Sequence, residues 1–273
     1  SAADVRSFEM NNLSERQYLQ ECQDHASFAA IGFYKTFKAQ ILYLYDRFED
    51  AFLCIQEAQT FLSYLPGCIS LAAFNFYHSL TLAALYPSAT ETQKSEYWQQ
   101  LVINQKQMQI WSELCPENFQ HQYVLVKAEM ARLRDEPFAA IELYDEAIYH
   151  AKSNEFIQDC ALTNELTAKF WFARGKAKLA QVYLTEAYYQ YRAWGATAKL
   201  AYLEQQYPQF LTGIQAIDRE TFSTDNTLSI TNISSTSTSN SNLLDLATIL
   251  KASQAISQEI ELDKLLHSLL RVV

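Results

Sequence analysis

Residues 128–147 read AEMARLRDEPFAAIELYDEA. Around Asp135-Glu136-Pro137 the apolar residues recur at intervals of three and four, as Phe138, Ile141, Tyr144, Ile148 and Ala151 do, so each flank is helical with one apolar face. The acidic pair followed by proline starts the second helix. Counting from Ala128, the informative positions are Asp135, Ala140, Tyr144 and Ala147, at offsets of 7, 12, 16 and 19. The same offsets return in AKFWFARGKAKLAQVYLTEA (168–187), as Ala168, Gly175, Ala180, Leu184 and Ala187. They return again in AQILYLYDRFEDAFLCIQEA (39–58), as Ala39, Asp46, Ala51, Ile55 and Ala58. Small residues belong where two helix backbones approach closely, and the large residue fills the space to the next copy.

Outward from these three copies, the few breakers punctuate a helical chain. Pro66-Gly67, Pro87, Pro116, Gly175, Gly195 and Pro208 separate segments, and only Gly32 falls inside a helical pattern. Helices are expected near 14–31, 33–46, 49–64, 69–86, 92–113, 118–134, 137–152, 155–174, 177–194 and 196–207, with no strand. Short connections predict antiparallel helical hairpins. A hairpin that cannot bury its apolar face alone stacks on copies of itself.

The offsets resemble those of the tetratricopeptide repeat, which places small, turn, small, large and small residues at these intervals. The expected fold class is therefore all-α: a tetratricopeptide-like helical-hairpin solenoid of about ten helices over residues 1–212. Ala128 and Ala168 are 40 residues apart, longer than the standard repeat of about 34, and the 89 residues from Ala39 to Ala128 leave room for a hairpin at 69–113 that does not match. An irregular array of long helices follows.

Composition agrees. The 273 residues are 49% hydrophobic and 14% aromatic, with only 5 Gly and 5 Pro, which favours helices over a turn-dense β protein. A formal charge of -10 repels a phosphate backbone, so nucleic acid is excluded as an expected partner. Cys22, Cys54, Cys68, Cys115 and Cys160 are odd in number and scattered, which predicts buried free thiols in a reducing compartment. The first twelve residues lack the order of a signal peptide, and the most apolar run, 69–86, carries Asn75, His78, Ser79 and Thr81; a cytoplasmic chain with no membrane span is expected.

From Thr221 to Asn242, 17 of 22 residues are Ser, Thr or Asn, a composition that cannot bury enough apolar surface to offset its ordering entropy. A flexible linker is expected over 213–242. Helical patterning resumes in LLDLATILKASQAISQEIELDKLLHSLL (243–270). This stretch is similar to the entry of a GAF sensor domain in very large multi-sensor signal-transduction kinases of the cyanobacterial type. FYHSLTLAALYP (76–87), NFQHQYVLVKAEMAR (118–132), AIELYDEAIYHA (140–151) and YRAWGATAKLAYLEQQYP (191–208) resemble the helical region those kinases carry before that domain. The resemblance implies that 243–273 begins a truncated GAF domain. It also implies an ATPase-type domain before the helical region and a histidine kinase after it, as partners within one polypeptide.

Chemistry is not signalled. G-x-x-x-x-G-K-[ST], G-x-G-x-x-G, H-R-D, G-x-S-x-G and H-E-x-x-H are all missing from the sequence, and His25, His78, His121, His150 and His267 are scattered; His78 and His121, with no Cys or carboxylate taken to stand at ligand spacing, read as core or capping residues. No catalytic residue, cofactor or metal is expected. A solenoid's usable surface is its concave side. In the tetratricopeptide register this side carries Phe33, Thr36, Gln40 and Tyr43; Gln122, Leu125, Glu129 and Arg132; and Leu162, Glu165, Lys169 and Phe172. The expected function is a non-catalytic protein-interaction and signal-relay module. The alternatives are a sensor that binds a peptide or small molecule in the concave groove, and a hydrolase built on His78 or His121.

Overall fold

In a computed structural model, residues 14–211 are described and contain ten α-helices of ten or more residues, a helical turn at 208–211, two short 3-10 turns and, among the described residues, no strand. The helices are α1 Glu15–Asp24, α2 Phe28–Leu44, α3 Phe48–Gln59, α4 Ile69–Leu85, α5 Glu91–Leu114, α6 Pro116–Leu133, α7 Pro137–Ser153, α8 Ile157–Ala173, α9 Ala177–Trp194 and α10 Thr197–Gln206. The tract 213–242 and the patterned stretch 243–273 lie outside the described residues.

Local chemistry explains most boundaries. Ser14 with Gln17 and Thr90 with Gln93 form capping boxes that satisfy the first amides of α1 and α5. Proline opens α6 and α7, where its missing N–H costs nothing. The boundary expected at Gly32 lies elsewhere. The chain turns at His25–Ser27, with Ala26 in the left-handed region at φ 54°, and α2 runs straight through Gly32. That glycine serves packing: a Cβ there would stand 3.1 Å from Leu65 Cδ1 and 3.2 Å from Phe61 Cβ, in the 3-10 segment that follows α3.

The offsets found in the sequence acquire physical meaning. Asp46, Asp135 and Gly175 all turn their hairpins with positive φ, at 56°, 56° and 70°. Ala39, Ala51, Ile55, Ala58, Ala128, Ala140, Tyr144, Ala147, Ala168, Ala180, Leu184 and Ala187 are each 1% exposed or less. α2 packs closely on α3, α6 on α7 and α8 on α9, while α2 also touches α4, α4 touches α6 and α6 touches α8. These four form an inner row; α3, α5, α7 and α9 lie outside it, each in contact with the next inner helix or, for α9, with α10. One apolar core takes residues from every helix from α2 to α8, and another joins α8, α9 and α10 through Ala161, Leu184, Tyr191 and Leu203.

The five cysteines are free, but only Cys22 and Cys160 are buried; Cys54, which packs against the core from α3, and Cys68 and Cys115, at helix ends, are partly exposed. Among the described residues no helix is long and apolar enough to cross a membrane.

Candidate functional site

The C-terminal ends of the four inner helices come together. Such ends present orphan carbonyls and the negative pole of the helix dipole, so cations gather there. Arg132 Nη2 donates to the Ala83 carbonyl near the end of α4 at 3.2 Å, and Lys199 Nζ donates to the Leu44 carbonyl at the end of α2. Anions balance them. Glu129 accepts from Arg132 Nε at 3.0 Å and Nη2 at 2.5 Å, and from the buried Tyr144 hydroxyl. The Glu129 charge holds the Arg132 guanidinium above its usual range.

Beside this cluster opens a cavity of about 470 Å³, lined by Tyr43, Phe48, Ala84, Glu129, Arg132, Asp135, Leu166, Lys169, Phe170, Ala173 and Arg174. α2, α4, α6 and α8 all contribute. Arg174 lies 4.8 Å from the Phe170 ring centroid and bridges to Asp135 at 2.9 Å, forming a polar rim over an apolar floor. Charges of both signs line the wall.

One cavity residue belongs to a second network. Lys169 bonds Asp46 Oδ1 at 2.6 Å and Glu165 Oε1 at 2.9 Å, and Glu165 also receives Lys199 at 3.0 Å and the Tyr191 hydroxyl at 2.8 Å. Tyr202 donates to Asp46 Oδ2 at 3.0 Å, and the Tyr45 and Tyr202 rings meet edge to face at 5.2 Å. α10 is thereby fastened to the turn between α2 and α3. Burial opposes the Glu165 carboxylate, but the charges of Lys169 and Lys199 outweigh it and hold its carboxyl at about 2. For Lys199 burial prevails over the attraction of Glu165, and its ammonium pKa is lowered. Burial pulls Lys169 the same way, yet Glu165 and Asp46 raise it well above the ordinary lysine value.

The residues expected on a concave face divide into three groups. Tyr43, Glu129, Arg132 and Lys169 line the cavity. Thr36, Leu125, Leu162 and Glu165 are buried. Phe33, Gln40, Gln122 and Phe172 are partly buried elsewhere; Phe172 stacks on Tyr207 at 5.4 Å, and Gln122 donates to Asp159 at 3.0 Å. Lys199, Phe170 and Arg174 gave no signal in the sequence, because the contacts that matter to them come from other helix pairs.

A carboxylate does reach His121, contrary to the spacing argument: Asp159 Oδ2 lies 2.7 Å from its Nε2, brought across from α8. Both groups are buried, and Phe156 stacks on the imidazole at 4.3 Å. His78 is buried beside Phe74, and burial lowers its pKa to about 4, so it is neutral at pH 7. Among the described residues no group of three metal-ligating side chains occurs. Compared with known proteins, the chain matches no family model, no curated protein and no solved structure.

Proposed function

We propose that this chain is a tetratricopeptide-like solenoid serving as a non-catalytic protein-interaction and signal-relay module, one segment of a multi-domain sensor kinase of the kind its sequence resembles. Its partners are then neighbouring ATPase-type, GAF and histidine-kinase domains, or a separate protein. The observation that carries this reading is the double membership of Lys169, which lines the cavity and also holds the Asp46–Glu165 network that fastens α10. Occupation of the cavity by a partner segment changes the surroundings of Lys169 and so biases the α10 contact, which is how a two-state element relays binding. An apolar floor of Phe170, Leu166 and Phe48 with a rim of both charge signs suits an extended peptide carrying an apolar side chain.

The test is binding of the neighbouring domains to the chain, measured by calorimetry with the wild type and with Ala173→Trp, which fills the cavity from an exposed wall position. The expected result is binding that is at least tenfold weaker in the variant at unchanged helicity. Full-strength binding by Ala173→Trp overturns the cavity as the site, and no binding by any neighbouring domain overturns the relay. The cavity volume of about 470 Å³ also suits a small ligand, which supports a ligand-sensing solenoid as the second reading. A thermal-shift panel of small molecules and peptides separates the two.

A further inference from the structure

α5 is apolar on two sides. Inward, Leu101 and Met108 are fully buried and Tyr97, Trp98, Val102 and Trp111 pack against the core. Outward, Ile103, Ile110 and Leu114 are 60%, 50% and 79% exposed. A helix with two apolar faces has room for a neighbour on each. The outer residues follow a rule: Ile103, Gln107, Ile110 and Leu114 are spaced four, three and four apart, the spacing of a coiled-coil seam, and at about 100° per residue they fall within an arc of about 60°. On the other helices, among the described residues, exposed apolar residues are single, or are interrupted by charge as Glu186 interrupts Leu179, Val182 and Tyr189 on α9.

The edge of the α5 seam identifies its occupant. Lys106 and Glu113 sit one residue before Gln107 and Leu114, on the same flank and seven residues apart. Among the described residues Lys106 has no ion-pair partner, and Glu113 accepts only a hydrogen bond from Gln109 of its own helix at 2.8 Å. When two such helices pair antiparallel about a two-fold axis, equal flanks face the same way. Ile103 then meets Leu114 of the second copy, Gln107 meets Ile110, and Lys106 comes opposite Glu113, each contact occurring twice. A parallel pair would instead set this flank against the opposite flank of the second helix, so Lys106 would not come opposite Glu113. We propose that α5 is a self-pairing surface, through which two copies of this chain associate antiparallel across Ile103, Ile110 and Leu114, with Lys106 and Glu113 setting the register.

α5 contributes no residue to the cavity, so this pairing stands apart from the proposed relay. The seam is about 18 Å long, which places the pair among weak, concentration-dependent contacts. Sedimentation of the full chain from micromolar to millimolar concentration tests it. The expected result is a monomer–dimer equilibrium that Ile110→Glu abolishes, that Lys106→Glu weakens about tenfold through two like-charge contacts, and that Lys106→Glu combined with Glu113→Lys restores. A chain monomeric throughout, a dimer that survives Ile110→Glu, or a double swap that fails to restore association each overturns the proposal. Should Ile110→Glu lower helicity, the charge variants decide alone.

Discussion

α4 and α8 are both buried inner helices of 17 residues, yet they are held by different means. α4 fills space with Phe74, Phe76, Tyr77, Leu80 and Leu82, and two of its buried hydroxyls turn back on its own backbone: Ser79 to the Asn75 carbonyl at 2.9 Å and Thr81 to that of Tyr77 at 2.7 Å. α8 also back-bonds Thr163 and Thr167, but Asp159 and Glu165 reach outward to α6, α9 and α10. Apolar packing is non-directional and tolerates small shifts, whereas a buried ionic network has one satisfied geometry. α4 supplies bulk cohesion, and α8 dictates where its neighbours sit.

The largest effects separate these roles. Glu165→Ala leaves Lys199 and Lys169 facing a lost counter-charge and is expected to cost about 3–5 kcal/mol, with amide exchange accelerating first in α10 and residues 45–47. Leu80→Ala is expected to cost about 2–5 kcal/mol in urea unfolding, with protection lost evenly across the inner row. Matching exchange patterns in the two variants would erase the distinction drawn between the helices.

Acid distinguishes them next. The folded pKa of His78 is about 4 against an ordinary 6.5, so in that window the unfolded chain binds a proton the folded one refuses, and stability falls as pH falls. At pH 5 the loss is about 2 kcal/mol relative to pH 8, and His78→Asn is expected to flatten it. Glu165 has the opposite charge type with a depressed value: its stabilisation is complete above the ordinary 4.5 and disappears as pH falls through about 2. Denaturant titrations at stepped pH should therefore show two separate declines, the first belonging to α4 and the second to α8. A profile for His78→Asn identical to the wild type removes the first assignment.

The smallest effects compare equivalent turns. Asp46 and Asp135 share φ 56°, but Asp46 holds Lys169 and Tyr202 while the partner of Asp135 is the exposed Arg174. Asp46→Gly is expected to cost about 1–2 kcal/mol and Asp135→Gly to gain about 0.5 kcal/mol by relieving the left-handed backbone, both read from thermal unfolding. Equal responses would mean that the Asp46 network contributes nothing.

Periodic features were legible in the sequence because local rules generate them. The offsets of Ala128, Asp135, Ala140, Tyr144 and Ala147 follow from one hairpin's own geometry, and most bounds of α4 to α10 lie close to a cap, a proline or a glycine, the exception being the α7–α8 break, where Glu155 takes φ 62°. The break between α1 and α2 was hidden because Ala26, a good helix former, adopts φ 54° there. Gly32 misled for the converse reason: its role depends on Phe61 and Leu65, which pack against it from another segment. Of the cavity, Tyr43, Glu129, Arg132 and Lys169 were reached by register alone. The pairing of His121 with Asp159 and of Lys199 with Leu44 depends on how separate hairpins meet, which no periodicity within one hairpin encodes.

The bond from Lys199 to the Leu44 carbonyl spans 155 residues. In a plain array of hairpins every contact is between neighbours, so folding nucleates anywhere and spreads as a sum of local steps. A contact of this span introduces loop-closure entropy that only a largely assembled chain can offset, which slows the last step and couples the two distant ends. During synthesis Asp46 gains Lys169 once α8 has emerged, whereas the carbonyl of Leu44 waits for Lys199 of α10.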